Sequence, residues 1–66
     1  MTTKNNIREY RKRTNLTQAQ AAERLGCNVR LYQKYESGEV IPSAVSAIRL
    51  AKLLKTTVEE LYSDEE

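Results

Sequence analysis

Residues 18–37 read QAQAAERLGCNVRLYQKYES, two short helical patterns hinged at Gly26-Cys27-Asn28. Ala21, Ala22 and Leu25 recur at helical spacing in the first pattern, and Tyr32 and Tyr35 in the second, so each helix has one apolar face. These faces and Cys27 at the turn point inward where the helices meet. Ala22 is small enough for close approach, and Gly26 takes the left-handed conformation that ends a helix without steric cost. Thr17 stands three residues before Gln20, the spacing of a capping box in which each side chain satisfies the other residue's amide. Asn28 is placed to cap the second helix.

Working outward, the periodicity predicts five helices, at about 4–13, 18–25, 28–36, 44–54 and 58–62, with 63–66 as an acidic tail. The fold class is all-α, compact, in one domain over 1–66. Ile7 and Tyr10 share a face of the first helix, which Thr14 and Asn15 break. Ser43, following the only proline, caps the fourth, where Ala44, Ala47, Ile48, Ala51 and Leu54 recur at three- and four-residue spacing. Thr57 with Glu60 has the spacing of a second capping box. Val58, Leu61 and Tyr62 on the fifth helix either close the core or form a two-fold interface between copies. Glu39-Val40-Ile41 is too short for a strand and ends at proline, so it reads as a loop.

At 66 residues, with 39% hydrophobic and 30% charged side chains, the composition is that of an ordinary soluble domain. No apolar run approaches a membrane span, and Met1 to Asn6 is polar rather than a signal peptide, so the expected location is the cytoplasm, in association with the nucleoid. There is no histidine, and Cys27 is the only cysteine. A cysteine-histidine zinc site is excluded, no catalytic constellation is visible, and neither glycine lies in a phosphate loop. The expectation is a protein without enzymatic activity, metal or cofactor. The net charge of +2 conceals an asymmetry. Five of the nine acidic residues are Glu59, Glu60, Asp64, Glu65 and Glu66, so up to Val58 eleven basic residues face four acidic ones. A body that basic suits a polyanion.

A helix, a tight turn and a second helix form the arrangement that lays one helix in a DNA major groove while the other crosses the backbone. Asn28, Val29, Arg30, Gln33 and Lys34 then face outward, with Leu31 ambiguous. Arginine bonds guanine bidentately, Asn and Gln bond adenine, and Val packs on a thymine methyl. Thr17, Gln18 and Ser37 are placed for phosphates, helped by the amides opening the second helix. Tyr32 and Tyr35 read as core rather than base-stacking residues, and Cys27 as a small buried hydrophobe rather than a redox sensor. Arg30 and Lys34, four apart, are DNA contacts or solvated cations.

The ordered set Ile7-Arg-Glu-Tyr-Arg-Lys12, Leu16-Thr-Gln18, Ala22-Glu-Arg-Leu-Gly26, Tyr35-Glu-Ser-Gly38, Pro42-Ser43, Leu50-Ala-Lys-Leu-Leu54 and Glu59-Glu-Leu61 resembles the lambda-repressor/Cro-like (XRE-type) helix-turn-helix family. The resemblance covers about residues 5–62. It implies a five-helix fold, a transcription-regulating, repressor-like role and binding as a homodimer to a pseudo-palindromic operator in double-stranded DNA. By position, Thr17 and Gln18 correspond to backbone and first-base contacts. Asn28, Val29, Arg30 and Lys34, and Gln33 more weakly, correspond to base-reading or flanking phosphate contacts. Arg11 and Glu36 match an ion pair that positions the recognition helix. The sequence departs from the family pattern after Gly38, where Glu39-Val40-Ile41 replaces a Lys or Arg, and in its acidic tail. A rival reading keeps the fold but binds a protein, as an antirepressor or antitoxin component would.

Overall fold

Four of the five helices open on a side chain that replaces an acceptor the helix itself cannot supply. In the computed structural model, which describes residues 4–63, the helices are α1 (Ile7–Arg13), α2 (Gln18–Leu25), α3 (Val29–Ser37), α4 (Ala44–Leu53) and α5 (Val58–Leu61). Among the described residues there is no strand. Thr17 Oγ1 accepts from Gln20 N at 3.0 Å while Gln20 Oε1 accepts from Thr17 N at 2.9 Å, a complete capping box on α2. Asn28 Oδ1 accepts from Leu31 N at 2.8 Å, Ser43 Oγ from Ser46 N at 3.3 Å and Thr57 Oγ1 from Glu60 N at 3.1 Å. On α5 the Glu60 carboxylate accepts from the Tyr10 hydroxyl at 2.6 Å, so the second capping box has only its threonine half and the glutamate ties α5 to α1.

Helix ends are equally specific. Gly26 and Gly38 sit at φ 88° and 86°. Around each, the amide two residues past the helix reaches back to a carbonyl five residues earlier, Cys27 to Ala22 at 3.0 Å and Glu39 to Lys34 at 3.1 Å. This is the left-handed glycine cap that ends a helix and turns the chain sharply.

The start of α1 differs from the expectation of a helix from Lys4. Asn5 Oδ1 accepts the Ile7 amide at 3.0 Å, and its Nδ2 donates to the carbonyls of Tyr35 and Glu36 at 3.2 and 3.3 Å. Asn6 donates its backbone amide to Leu61 O at 2.7 Å and its side-chain amide to Glu60 O at 3.0 Å. A segment held across the ends of α3 and α5 has spent the groups that a helical turn would use.

The largest fully buried side chains are Tyr32, Ile7, Leu50, Leu54 and Leu61, drawn from α3, α1, α4 with its C-cap, and α5. Each stabilises the fold by about 1.5–3 kcal/mol through area removed from water. Against them α2 packs Ala21, Ala22 and Leu25. Leu61 has no accessible surface, and Val58 and Tyr62 are partly buried against the same core, so these three residues close the core.

A correction concerns α4. Ala47, Leu50, Ala51 and Leu54 are buried, but Ile48 is 50% exposed and Ala44 is exposed as well. Each helical residue turns the side chain by about 100°, so Ile48 points well away from Ala47 and falls outside the stripe facing α2 and α5. Of the expected tail only Ser63 is described; Asp64, Glu65 and Glu66 lie outside the described residues.

Candidate nucleic-acid interface

With Tyr32 and Tyr35 turned into the core, the residues between them on α3 must face solvent. Arg30, Gln33, Lys34 and Ser37 are exposed, Val29 is 40% exposed, and Asn28 is exposed at the cap. Leu31 is partly buried against the core. At the start of α2, Thr17 is exposed and Gln18 half-buried. The fold therefore gathers Thr17, Gln18, Asn28, Val29, Arg30, Gln33, Lys34 and Ser37 on α2, α3 and their caps.

Several of these residues already have structural work. Thr17 and Asn28 each use a side-chain oxygen on a helix amide, and among the described residues the Asn28 side-chain NH2 makes no further hydrogen bond in the chain. The Ser37 hydroxyl donates to Lys34 O at 3.1 Å and accepts from Glu39 N at 3.4 Å, which fixes it to the last turn of α3.

A chain of side-chain hydrogen bonds runs from the interior to this surface. Arg11 Nε donates to Glu36 Oε2 and Arg11 Nη1 to Leu16 O at 2.8 Å, so one guanidinium joins α1, the loop before α2, and α3. The side chains of Arg11 and Glu36 are only 13% and 7% exposed. The other Glu36 oxygen accepts from Gln18 Nε2 at 3.0 Å, and Gln18 Oε1 accepts from Gln33 Nε2 at 3.2 Å. Each bond dictates the orientation of the next amide. Gln33 keeps its Oε1 and one N–H, the acceptor and donor that bidentate adenine recognition needs. The family resemblance pointed to Arg11 with Glu36 but not to the connection through Gln18 to Gln33, which joins residues on different helices.

Beneath this surface Tyr32 is fully buried, and among the described residues its hydroxyl makes no hydrogen bond of normal geometry. Burial first, and the neighbouring Glu36 charge second, hold its phenol protonated far above the usual range. Burial also raises the Tyr35 and Tyr62 phenols and the Cys27 thiol. A partly buried thiol kept protonated is a poor nucleophile. Among the described residues no group of three His, Cys, Asp or Glu could hold a metal ion.

These shifts give a pH prediction. A phenol raised in the folded state keeps its proton after the unfolded chain has lost it, so stability is unaffected below about pH 10 and falls as pH rises above it. Tyr32→Phe removes the largest contributor together with an unpaired buried hydroxyl. It is expected to leave stability at pH 7 unchanged or slightly higher, and to flatten the alkaline loss. Urea midpoints at pH 7 and pH 10.5 check this. A loss at pH 7 of more than about 1 kcal/mol would mean that the hydroxyl is hydrogen-bonded.

The sequence model of the helix-turn-helix family matches residues 7–61, spanning all five helices. The chain is also 38% identical over 61 residues to the cryptic phage CTXphi transcriptional repressor RstR of Vibrio cholerae serotype O1. That alignment takes in 92% of this chain and 54% of the relative, so the chain spans about half the length of the repressor it matches. The capped helices, the glycine turn and the outward polar face of α3 agree with these likenesses, and the chain belongs to the helix-turn-helix family, in its lambda-repressor/Cro-like (XRE-type) branch.

Proposed function

We propose that the chain is a sequence-specific reader of double-stranded DNA, a repressor-type transcriptional regulator that binds a pseudo-palindromic operator as a homodimer. The observation that carries this reading is the outer face of α3, where exposed Arg30, Lys34 and Asn28 surround a Gln33 amide already oriented by the chain through Gln18 and Glu36 to Arg11. In this reading α3 lies in the major groove. Arg30 bonds guanine, Gln33 bonds adenine, Val29 meets a thymine methyl, and Asn28 and Lys34 read bases or flanking phosphates. Thr17, Gln18 and Ser37 anchor the backbone beside them. No cofactor, metal or catalytic group takes part, and the site of action is the nucleoid in the cytoplasm. The relative's description as a transcriptional repressor supports this assignment. So does the scarcity of apolar anchors on α3, where Val29 is the exception, because a protein-binding face would present more of them.

Selection from a random duplex pool tests the proposal. The expected product is a palindromic motif whose half-sites lie about 34 Å apart, bound at least about a thousandfold more tightly than random DNA. Weak binding alone, without a motif and with a steep salt dependence, would reject it and turn attention to the antirepressor or antitoxin reading.

A further inference from the structure

Glu36 holds each carboxylate oxygen on a donor, Oε2 on Arg11 Nε and Oε1 on Gln18 Nε2, the latter at 3.0 Å. A carboxylate paired with a guanidinium can only accept, so it decides which end of the Gln18 amide faces it. The Gln18 nitrogen turns inward to Glu36, and its oxygen is left for Gln33, whose Nε2 donates to it at 3.2 Å. One of the two N–H bonds of Gln33 is thereby used inside the protein. The Glu36 side chain is 7% exposed and Gln18 is half-buried, whereas Gln33 is exposed, so the direction of the chain is fixed from its buried end.

The two purines make different demands on what Gln33 has left. In the major groove adenine presents N7 as an acceptor and its N6 amino group as a donor, whereas guanine presents two acceptors, N7 and O6. A glutamine amide with both N–H bonds free can meet either base, with its oxygen and one N–H on adenine or with its nitrogen alone turned to both acceptors of guanine. With one N–H held by Gln18, the second arrangement is lost, and the remaining N–H brings with it an oxygen that meets another acceptor on guanine. We infer that Gln18 is a specificity-determining residue, which makes Gln33 reject guanine by occupying the N–H that guanine would need. The inference rests on the DNA-reading proposal and adds to it a cause for the choice between purines. It differs in kind from the backbone anchoring given to Gln18, because a phosphate contact affects every duplex alike and this effect changes only the ratio between two bases. Gln18 keeps one N–H of its own, so the two roles are compatible.

The base pair that Gln33 reads is the one in the selected operator whose preference disappears in Gln33→Ala. With that pair changed in one half-site, wild-type protein is expected to prefer adenine to guanine by about tenfold or more. Gln18→Met keeps the length of the side chain without its amide, and Gln18→Lys still donates to Glu36 but cannot accept from Gln33. Each should cut the adenine-to-guanine ratio by about threefold or more, whatever it does to affinity as a whole. Gln18→Lys leaves Glu36 with a donor, so it decides the matter if Gln18→Met loses its helical circular dichroism. In the Gln33→Ala background neither substitution should move the ratio, as acting through Gln33 requires. A Gln18→Lys variant with an unchanged ratio and a uniform shift on all duplexes overturns the inference and leaves Gln18 a phosphate contact. So does a Gln33→Ala variant that loses no base preference. If the pool yields no motif, the DNA-reading proposal fails and the inference falls with it, whereas a selected operator with an unmoved ratio removes the inference alone.

Discussion

Arg11→Ala is expected to lower the unfolding free energy by about 3–5 kcal/mol, the cost of leaving one member of a largely inaccessible ion pair without its partner. A chain of 66 residues has a total stability of roughly 3–10 kcal/mol, so the variant should lose roughly a third of it or more. The loss exceeds that of a surface pair, about 0–1 kcal/mol, because both side chains are almost inaccessible and Glu36 would keep only the Gln18 amide. Arg11 also holds Leu16 O, so the loop that starts α2 loosens with it. Glu36→Gln keeps an acceptor for Arg11 and sheds the buried charge, and should lose less. Urea denaturation of the two variants beside wild type gives the ordering. An Arg11→Ala loss below 1 kcal/mol would show that the pair behaves as an exposed one.

The second large effect is on binding. Arg30→Ala should remove about 1–3 kcal/mol of discrimination at one base pair of each half-site, hence about 2–6 kcal/mol on a symmetric operator. In affinity that is roughly thirtyfold to ten-thousandfold. Arg30 is exposed on the first turn of α3, and among the described residues it makes no ion pair within the chain, so its removal should shift stability by no more than about 0.5 kcal/mol. Titration against the selected operator, against the same operator changed at the guanine, and against random duplex separates the possible roles. A base contact loses affinity only where the guanine is present. Equal loss on all three duplexes would make Arg30 a phosphate contact.

Both effects depend on features that differ in how far the amino-acid sequence reveals them. The Thr17–Gln20 capping box is written within four residues and forms as its spacing says, as do the caps Asn28 and Ser43. The inward turn of Tyr32 and Tyr35 follows from helical period alone. Where partners are distant, local rules give out. Asn5 looks like the start of a helix until its side chain meets carbonyls on α3, and Glu60 looks like half of a capping box until Tyr10 takes it. Ile48 shows another ambiguity. Its spacing from Ala44 and Ala51 fits a core stripe, but only tertiary packing decides which edge of a broad apolar face is covered. The residues proposed to read DNA could be named from the motif. The alignment of Gln18 with Gln33 could not, since it requires α2 and α3 already crossed.

The backbone amide of Asn6 ends on the carbonyl of Leu61, and the Asn5 side chain ends on the last turn of α3. During synthesis the first of these bonds must wait until α5 has left the ribosome, although every proposed base-contacting residue emerged long before. Domains fold as units, so a nascent fragment carrying α1 to α3 lacks the clasp, the Leu61 plug and the α4 floor together. On the proposed function, the ability to grip an operator would therefore arrive late and all at once, and incomplete chains would not compete with finished ones for the site.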